Sequence, residues 1–198
     1  MLASLEEDGL EKTLNIMNGM FALAVWDTQK KILHIARDRI GKKPLYYGFI
    51  NGNFVFSSEL KSFKRYPHFK PVLNKKALGL YLQYNFISAP DTIYEDIYKL
   101  PAAAYASIYE PNKVSVQRFW NASKISQQRK NNLSFSENID RLDTLIRDAV
   151  SIRMISDVPL GAFLSGGIDS SLVTSYMQDI SSQPVISFSI GFHVVLFN

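Results

Sequence analysis

The chain has 198 residues, enough for one large domain or two small ones. At 46% apolar and 13% aromatic, it should pack a core rather than remain disordered. It contains no cysteine, which excludes disulfides, thiolate metal sites and a cysteine nucleophile within these residues. The net charge is +4, and the basic clusters "RDRIGKK", "KSFKRYPHFK", "LNKK" and "QQRK" sit in loops and element ends, so they read as solvated surface rather than a nucleic-acid face.

The opening "MLASLEEDGL" is acidic and lacks the apolar centre of a secretory signal, and no apolar run approaches the ~20 residues of a membrane span. A soluble, cytoplasmic protein without membrane or nucleic-acid partners is expected. The histidines His34, His68 and His193 are scattered without ligand-like spacing.

The first half reads as strands. "MFALAVW" and "ILHIARD" flank a polar turn, and "LYYGFI" and "NFVFSS" flank Asn51-Gly52, a strong hairpin signal. Residues 20–58 are therefore expected as one antiparallel meander. Ser57 or Ser58 is placed to cap a short helix from Glu59, and Asn74 to cap another, with Leu73 and Leu78 as a hydrophobic staple. Leu78, Tyr81, Leu82 and Phe86 share one face of that helix, which should stop before Pro90. "AAAYASIY" and "VSVQRFW" suit a second hairpin.

A polar stretch, "NASKISQQRKNNLS", has no periodicity and reads as a linker. Ser134 and Glu137 then have capping-box spacing, and Ile139, Leu142, Leu145, Ile146, Ala149, Val150 and Ile152 predict an amphipathic helix over 137–155. "VPLGAFLS" reads as a buried strand, "SSLVTSYMQDI" as a helix and "VISFSI" as a second strand, the start of a parallel α/β sheet. The order predicts three segments: residues 1–118, a mostly antiparallel domain; 119–133, a linker; and 134–198, the beginning of an α/β domain.

The turn between the strand ending at Leu164 and the next helix is the candidate site. Gly166 and Gly167 let backbone N–H groups approach a ligand, the helix tip is positive, and Ser165, Ser170 and Ser171 add hydroxyls. These groups suit phosphate oxygens. Asp169 would repel phosphate unless a Mg²⁺ ion bridged the two. A Walker loop would need a lysine after the glycine pair and a dinucleotide loop needs G-x-G-x-x-G; neither is present. The plain alternative is a tight turn with an Asp or Ser cap.

"SGGIDSS" resembles the pyrophosphate loop of the ATP pyrophosphatases. "NGMFALAVWD", "ARDRIGKKPLYYG" and "FSSELKSF", in that order, resemble the later part of a class II glutamine amidotransferase domain. With "KLPAAAYASIY", "RFW" and "SDVPLGAFLSGGIDSSLV", the chain resembles the glutamine-hydrolysing asparagine synthetase family. The resemblance implies an α+β antiparallel fold of Ntn type, represented by its C-terminal part. A parallel-sheet ATP-pyrophosphatase domain would follow, represented by its start.

It implies further that glutamine is hydrolysed in the first domain and that ammonia crosses to the second. There ATP with Mg²⁺ would activate aspartate as β-aspartyl-AMP, giving asparagine, AMP and pyrophosphate. Ser165, Gly166, Gly167, Asp169 and Ser170 match the family's pyrophosphate loop, Asp169 its Mg²⁺ ligand, and Leu164 and Ile190 its adenosine-lining positions. Plain strand packing is the alternative for the last two. Arg37, Asp38, Arg39, Lys42 and Lys43 are read either as shaping a domain interface or as a charged turn. The complete protein would be a homodimer.

The family's N-terminal cysteine nucleophile has no counterpart here, since Met1 is followed by Leu2 and Ala3. Residue 1 is expected to fall inside the glutaminase domain. The family's second acidic, glycine-rich motif is expected beyond Asn198, and "GFHVVLFN" departs from the family pattern after Phe192, as a frameshift or gene-fragment end would explain. The chain alone is therefore expected to lack glutaminase activity and to have little or no synthetase activity. Two other readings remain at this point: an amidotransferase acting on another carboxylate acceptor, and a non-catalytic pseudo-enzyme.

Overall fold

The computed structural model describes residues 1–110, 113–128 and 132–191. It divides into two compact units, Met1–Arg129 and Lys130–Asn198. The turn "EPNK" lies partly, and His193 and the end of "GFHVVLFN" wholly, outside the described residues.

The first unit begins with α1 (Leu2–Asp8) and α2 (Leu10–Ile16), then β1 (Ala22–Asp27), β2 (Ile32–Arg37), β3 (Tyr46–Ile50) and β4 (Asn53–Ser57). It continues with α3 (Leu60–Phe63), α4 (Lys75–Tyr84), β5 (Ile97–Lys99), β6 (Ala104–Glu110), β7 (Lys113–Arg118) and α5 (Ala122–Gln128). Period-2 alternation sorts its side chains into layers. Ile35, Ala104 and Ala106 from one sheet meet Leu45 and Tyr47 from the other in a shared core. Ala36 and Tyr105, on the opposite face of the first sheet, are covered by Leu14 of α2 and by Phe119. Ile50 and Ile97, on the outer face of the second sheet, are covered by Phe63.

The expected single meander over 20–58 is corrected by this arrangement. β1 and β2 belong to an antiparallel sheet ordered β1-β2-β6-β7, whereas β3 and β4 belong to a second ordered β4-β3-β5. The Asn51-Gly52 hairpin forms, with φ of 50° and 77° at its two central residues. β5 pairs with β3 over three residues, too short to register in the sequence. It passes so near Gly48 that a Cβ there would lie 2.3 Å from the Asp96 carbonyl oxygen.

The chain changes sheets through the loop between β2 and β3, and Asp38 holds that loop. Its carboxylate is buried and accepts the backbone N–H groups of Lys42 and Lys43 (both 3.0 Å), Ile40 (3.2 Å) and Phe21 (3.3 Å). Burial alone would raise this carboxyl, but the N–H groups of Lys43, Lys42, Ile40 and Phe21 outweigh it and hold the group below its usual value. Arg37 closes the loop from outside, donating to the carbonyls of Lys43 (2.8 Å), Leu100 (2.7 Å) and Gly41 (2.6 Å). Arg39 donates to the carbonyls of Met17 (2.6 Å) and Asn15.

Asn74 caps α4 through Ala77 N–H at 3.0 Å, as its position predicts. The other expected cap is corrected: Glu59, without a side-chain bond, occupies the N-cap of α3, and Ser57 accepts the Glu59 N–H at 3.2 Å. Leu73 and Leu78 are both exposed, so no hydrophobic staple buries them. Part of the aperiodic linker is helical, as α5, with Asn121 accepting the N–H groups of Ser123 and Lys124.

The second unit contains α6 (Phe135–Ser151), β8 (Gly161–Phe163), α7 (Ile168–Ile180) and β9 (Ile186–Phe188). Ser134 and Glu137 form the predicted capping box. α6 starts two residues before the expected 137 and stops at 151 rather than 155, where the chain tightens into short-range turns at Arg153 and Met154. β8 and β9 pair parallel, Ala162 opposite Ser187. Among the described residues no helix is long and apolar enough to cross a membrane.

Acid should weaken the first unit in two stages. Burial lowers the half-buried His34, against the upward pull of Asp27, so the folded state resists protonation that the unfolded chain accepts below about pH 6.5. Asp38 is lowered, so its contribution is complete above its unfolded value near 3.8 and is lost as pH falls below that. Both tryptophans, Trp26 and Trp120, lie in this unit. Urea midpoints read by their fluorescence should fall below pH 6.5 and again below pH 4. Asp38→Asn should cost about 3 kcal/mol at pH 7 by facing an amide toward backbone donors, and should flatten the lower step.

Candidate functional site

Strand, turn and helix in the second unit place the candidate site at the carboxyl end of a parallel pair. Leu164 continues from β8 and donates its N–H to the Phe188 carbonyl at 2.8 Å. Its own carbonyl accepts the Ser189 hydroxyl at 2.6 Å, a bond that no sequence pattern indicated beyond the position of Ser189 at the end of the neighbouring strand. Leu164 is half-buried and Ile190 is 77% exposed. Leu164 immediately follows β8, and Ile190 lies two residues past β9.

The turn is built around Gly166, whose φ of 81° is disfavoured for a side-chain-bearing residue. A Cβ at Gly166 would meet nothing within 4 Å, so the space over the turn is open. Gly167 follows with φ of −81° and is the N-cap of α7, without a side-chain cap. Among the described residues, the backbone N–H groups of Gly166, Gly167, Ile168, Asp169 and Ser170 donate to no acceptor. The thirteen-residue α7 adds the positive end of its dipole.

The hydroxyls behave differently from the sequence expectation. Ser170 Oγ donates to the Gly167 carbonyl at 3.1 Å and lies 3.0 Å from Ser165 Oγ and 3.3 Å from the Ser165 N–H. Ser171 Oγ donates to the same Gly167 carbonyl at 2.8 Å. The serines thus tie the turn together internally, and the open donors are backbone amides.

Asp169 stands exposed in the first turn of α7, where a carboxylate also suits the dipole. Among the described residues no cluster of three or more His, Asp or Glu side chains can hold a metal. A cation here would have one protein carboxylate and would need its other oxygens from a ligand. Beside the turn, Asp169 and Ser170 form one end of an apolar groove of about 680 Å³ between α6, β8 and α7, lined also by Leu145, Val150, Phe163 and Met177.

Arg37, Asp38 and Arg39, singled out in the sequence, bond to backbone carbonyls and amides of the first unit.

Comparison with known proteins follows the same division. The family described as "Glutamine amidotransferase domain" matches residues 1–120, and the one described as "Asparagine synthase" matches residues 141–195. A Methanocaldococcus jannaschii protein, provisionally named a glutamine-hydrolyzing asparagine synthetase, is 37% identical over 183 residues. That match takes in 88% of this chain and 34% of the relative. Glutamine-hydrolyzing asparagine synthetases 3 and 1 of Bacillus subtilis are 31% and 32% identical, each over 92% of this chain and over 30% and 28% of their own length. The chain thus spans about a third of the length of the relatives it matches.

The turn itself makes a stability prediction. Gly166→Ala should cost about 1 kcal/mol by forcing a side chain into positive φ, and Gly166→Asn should cost less, because Asn tolerates that region. Far-UV circular dichroism melts of the second unit's transition would show this order.

Proposed function

Because the chain belongs to the glutamine amidotransferase domain family, we propose that it is part of a glutamine-hydrolysing asparagine synthetase. Its first unit would be the later part of an Ntn-type glutaminase domain. Its second unit would begin an ATP-pyrophosphatase domain that amidates aspartate through β-aspartyl-AMP, releasing AMP and pyrophosphate. The chain has no cysteine, so it supplies no cysteine nucleophile for glutamine hydrolysis. Glutamine, aspartate and ATP are the proposed substrates.

The observation that carries this reading is the row of five open backbone amides at Gly166–Ser170, on the N-terminus of α7. Polyphosphate oxygens are the ligand that such a row suits, because amides and helix dipole together favour anions without a compensating lysine. In this role the amides bind and orient the β and γ phosphates. Ser165 and Ser170 hold the turn in shape through their mutual contact. Leu164 and Ile190 would flank the adenosine half. A single first-turn carboxylate beside anionic phosphates fits a shared divalent cation, so Asp169 would hold Mg²⁺, which neutralises phosphate charge when bound. The turn's geometry favours departure of pyrophosphate, since the amides stabilise the charge that accumulates on the leaving group.

Calorimetric titration of the 198-residue chain with ATP and Mg²⁺ tests this. Binding should require Mg²⁺, and Asp169→Ala should weaken it at least tenfold, about 1.4 kcal/mol, while leaving the melting curve within a degree or so. Binding that ignores both Mg²⁺ and Asp169 would count against the assignment.

A further inference from the structure

We infer that Ser189 is a positioning residue for the nucleotide site. Its hydroxyl takes the place of a backbone rung where β8 and β9 end, and so leaves the strand ends unzipped beyond Leu164. This role rests on the nucleotide reading proposed above, since the nucleoside half is what the gap would receive.

In a parallel pair every second residue of a strand uses both its N–H and its C=O on the same neighbour, and the bonds are evenly spaced. The register sets Phe163 opposite Phe188, which brings Leu164 opposite Ser189. Leu164 makes the first of its two bonds, donating its N–H to the Phe188 carbonyl at 2.8 Å. The second would join the Ile190 N–H to the Leu164 carbonyl. It is not formed. That carbonyl accepts the Ser189 hydroxyl at 2.6 Å, and the Ile190 N–H has no acceptor among the described residues.

A side-chain hydroxyl that bonds a backbone group competes with the ladder for it. With its carbonyl satisfied in this way, Leu164 no longer needs the Ile190 amide, and pairing stops. Ile190 is left 77% exposed with a free donor, at the same end of the sheet as the open amides of Gly166–Ser170. The Phe188 side chain also stays clear of this end. A Cβ on Gly161 would lie 2.5 Å from its ring, so the ring leans back over the start of β8, away from Leu164. Open α/β sheets take ligands in the crevice outside the carboxyl ends of their strands. Ser189 holds that crevice open on the nucleoside side, while Ser165 and Ser170 shape the phosphate side.

Ser187 serves as the comparison. It is also exposed on β9, but its hydroxyl has no hydrogen bond among the described residues. Calorimetry of the 198-residue chain with Mg²⁺ and either ATP or inorganic pyrophosphate tests the role. Ser189→Ala should weaken ATP binding about fivefold, the worth of one ordinary hydrogen bond. Pyrophosphate binding should not change, because the amide row is untouched. Ser189→Thr keeps the hydroxyl and should restore ATP affinity, and Ser187→Ala should alter neither ligand. Amide hydrogen exchange followed by NMR should find Ile190 unprotected in the wild-type chain and protected in Ser189→Ala, where the rung can close. ATP binding that survives Ser189→Ala, or a loss shared by pyrophosphate or not restored by threonine, would overturn the proposal. So would an Ile190 amide already protected in the wild type. A wild-type chain that binds neither ATP nor pyrophosphate would instead remove the nucleotide reading itself, and with it the role given to Ser189.

Discussion

A single buried carboxylate organises the first unit. The Asp38 carboxylate takes four backbone N–H groups, from Phe21, Ile40, Lys42 and Lys43, and its carbonyl takes two more, from Gly41 and Ala103. Those bonds fix the reversal by which the chain leaves one sheet and enters the other. Without them the buried Asp38 carboxylate would be left without donors, at a penalty that the shared apolar core would have to offset. Arg37 and Arg39 complete the same economy from the other side, each saturating carbonyls that the loop cannot pair with itself. A stretch rich in charge therefore acts mainly as internal scaffolding.

The second unit inverts that logic. Its turn at Gly166 leaves five amides open, while the nearby serine hydroxyls are used up in holding the backbone. The loop at Asp38 pairs its donors, whereas the turn at Gly166 leaves a row of them exposed. Asp169 acquires meaning from this setting. An exposed carboxylate at a helix N-terminus is ordinary by itself; under the proposed function, beside open amides, it would share a divalent cation with phosphate oxygens.

Both units also carry apolar surface that water does not favour. Leu82 on α4, Leu142 and Leu145 on α6, and Phe163 and Phe188 on the short parallel pair are all more than half exposed. A two-stranded sheet is at the lower limit of independent stability. The parallel pair here is held by α7 and by the Ser189–Leu164 and Leu164–Phe188 bonds rather than by a broad ladder.

Local patterns in the amino-acid sequence were enough to determine the Asn51-Gly52 hairpin, the Asn74 cap, the Ser134–Glu137 capping box and the strand–turn–helix at Gly166, because each depends on neighbours within a few residues. Of these, only the turn at Gly166 also carried the resemblance to the family. Tertiary structure alone decided that β3 and β4 leave the sheet of β1 and β2, that three-residue β5 joins them, and that Asp38 is the buried acceptor at the centre of the charged turn before the hairpin. It also decided that Ser170 and Ser171 point inward while backbone amides stay open. These outcomes depend on partners far along the chain or on which donors remain after packing, and no periodicity or local propensity encodes either.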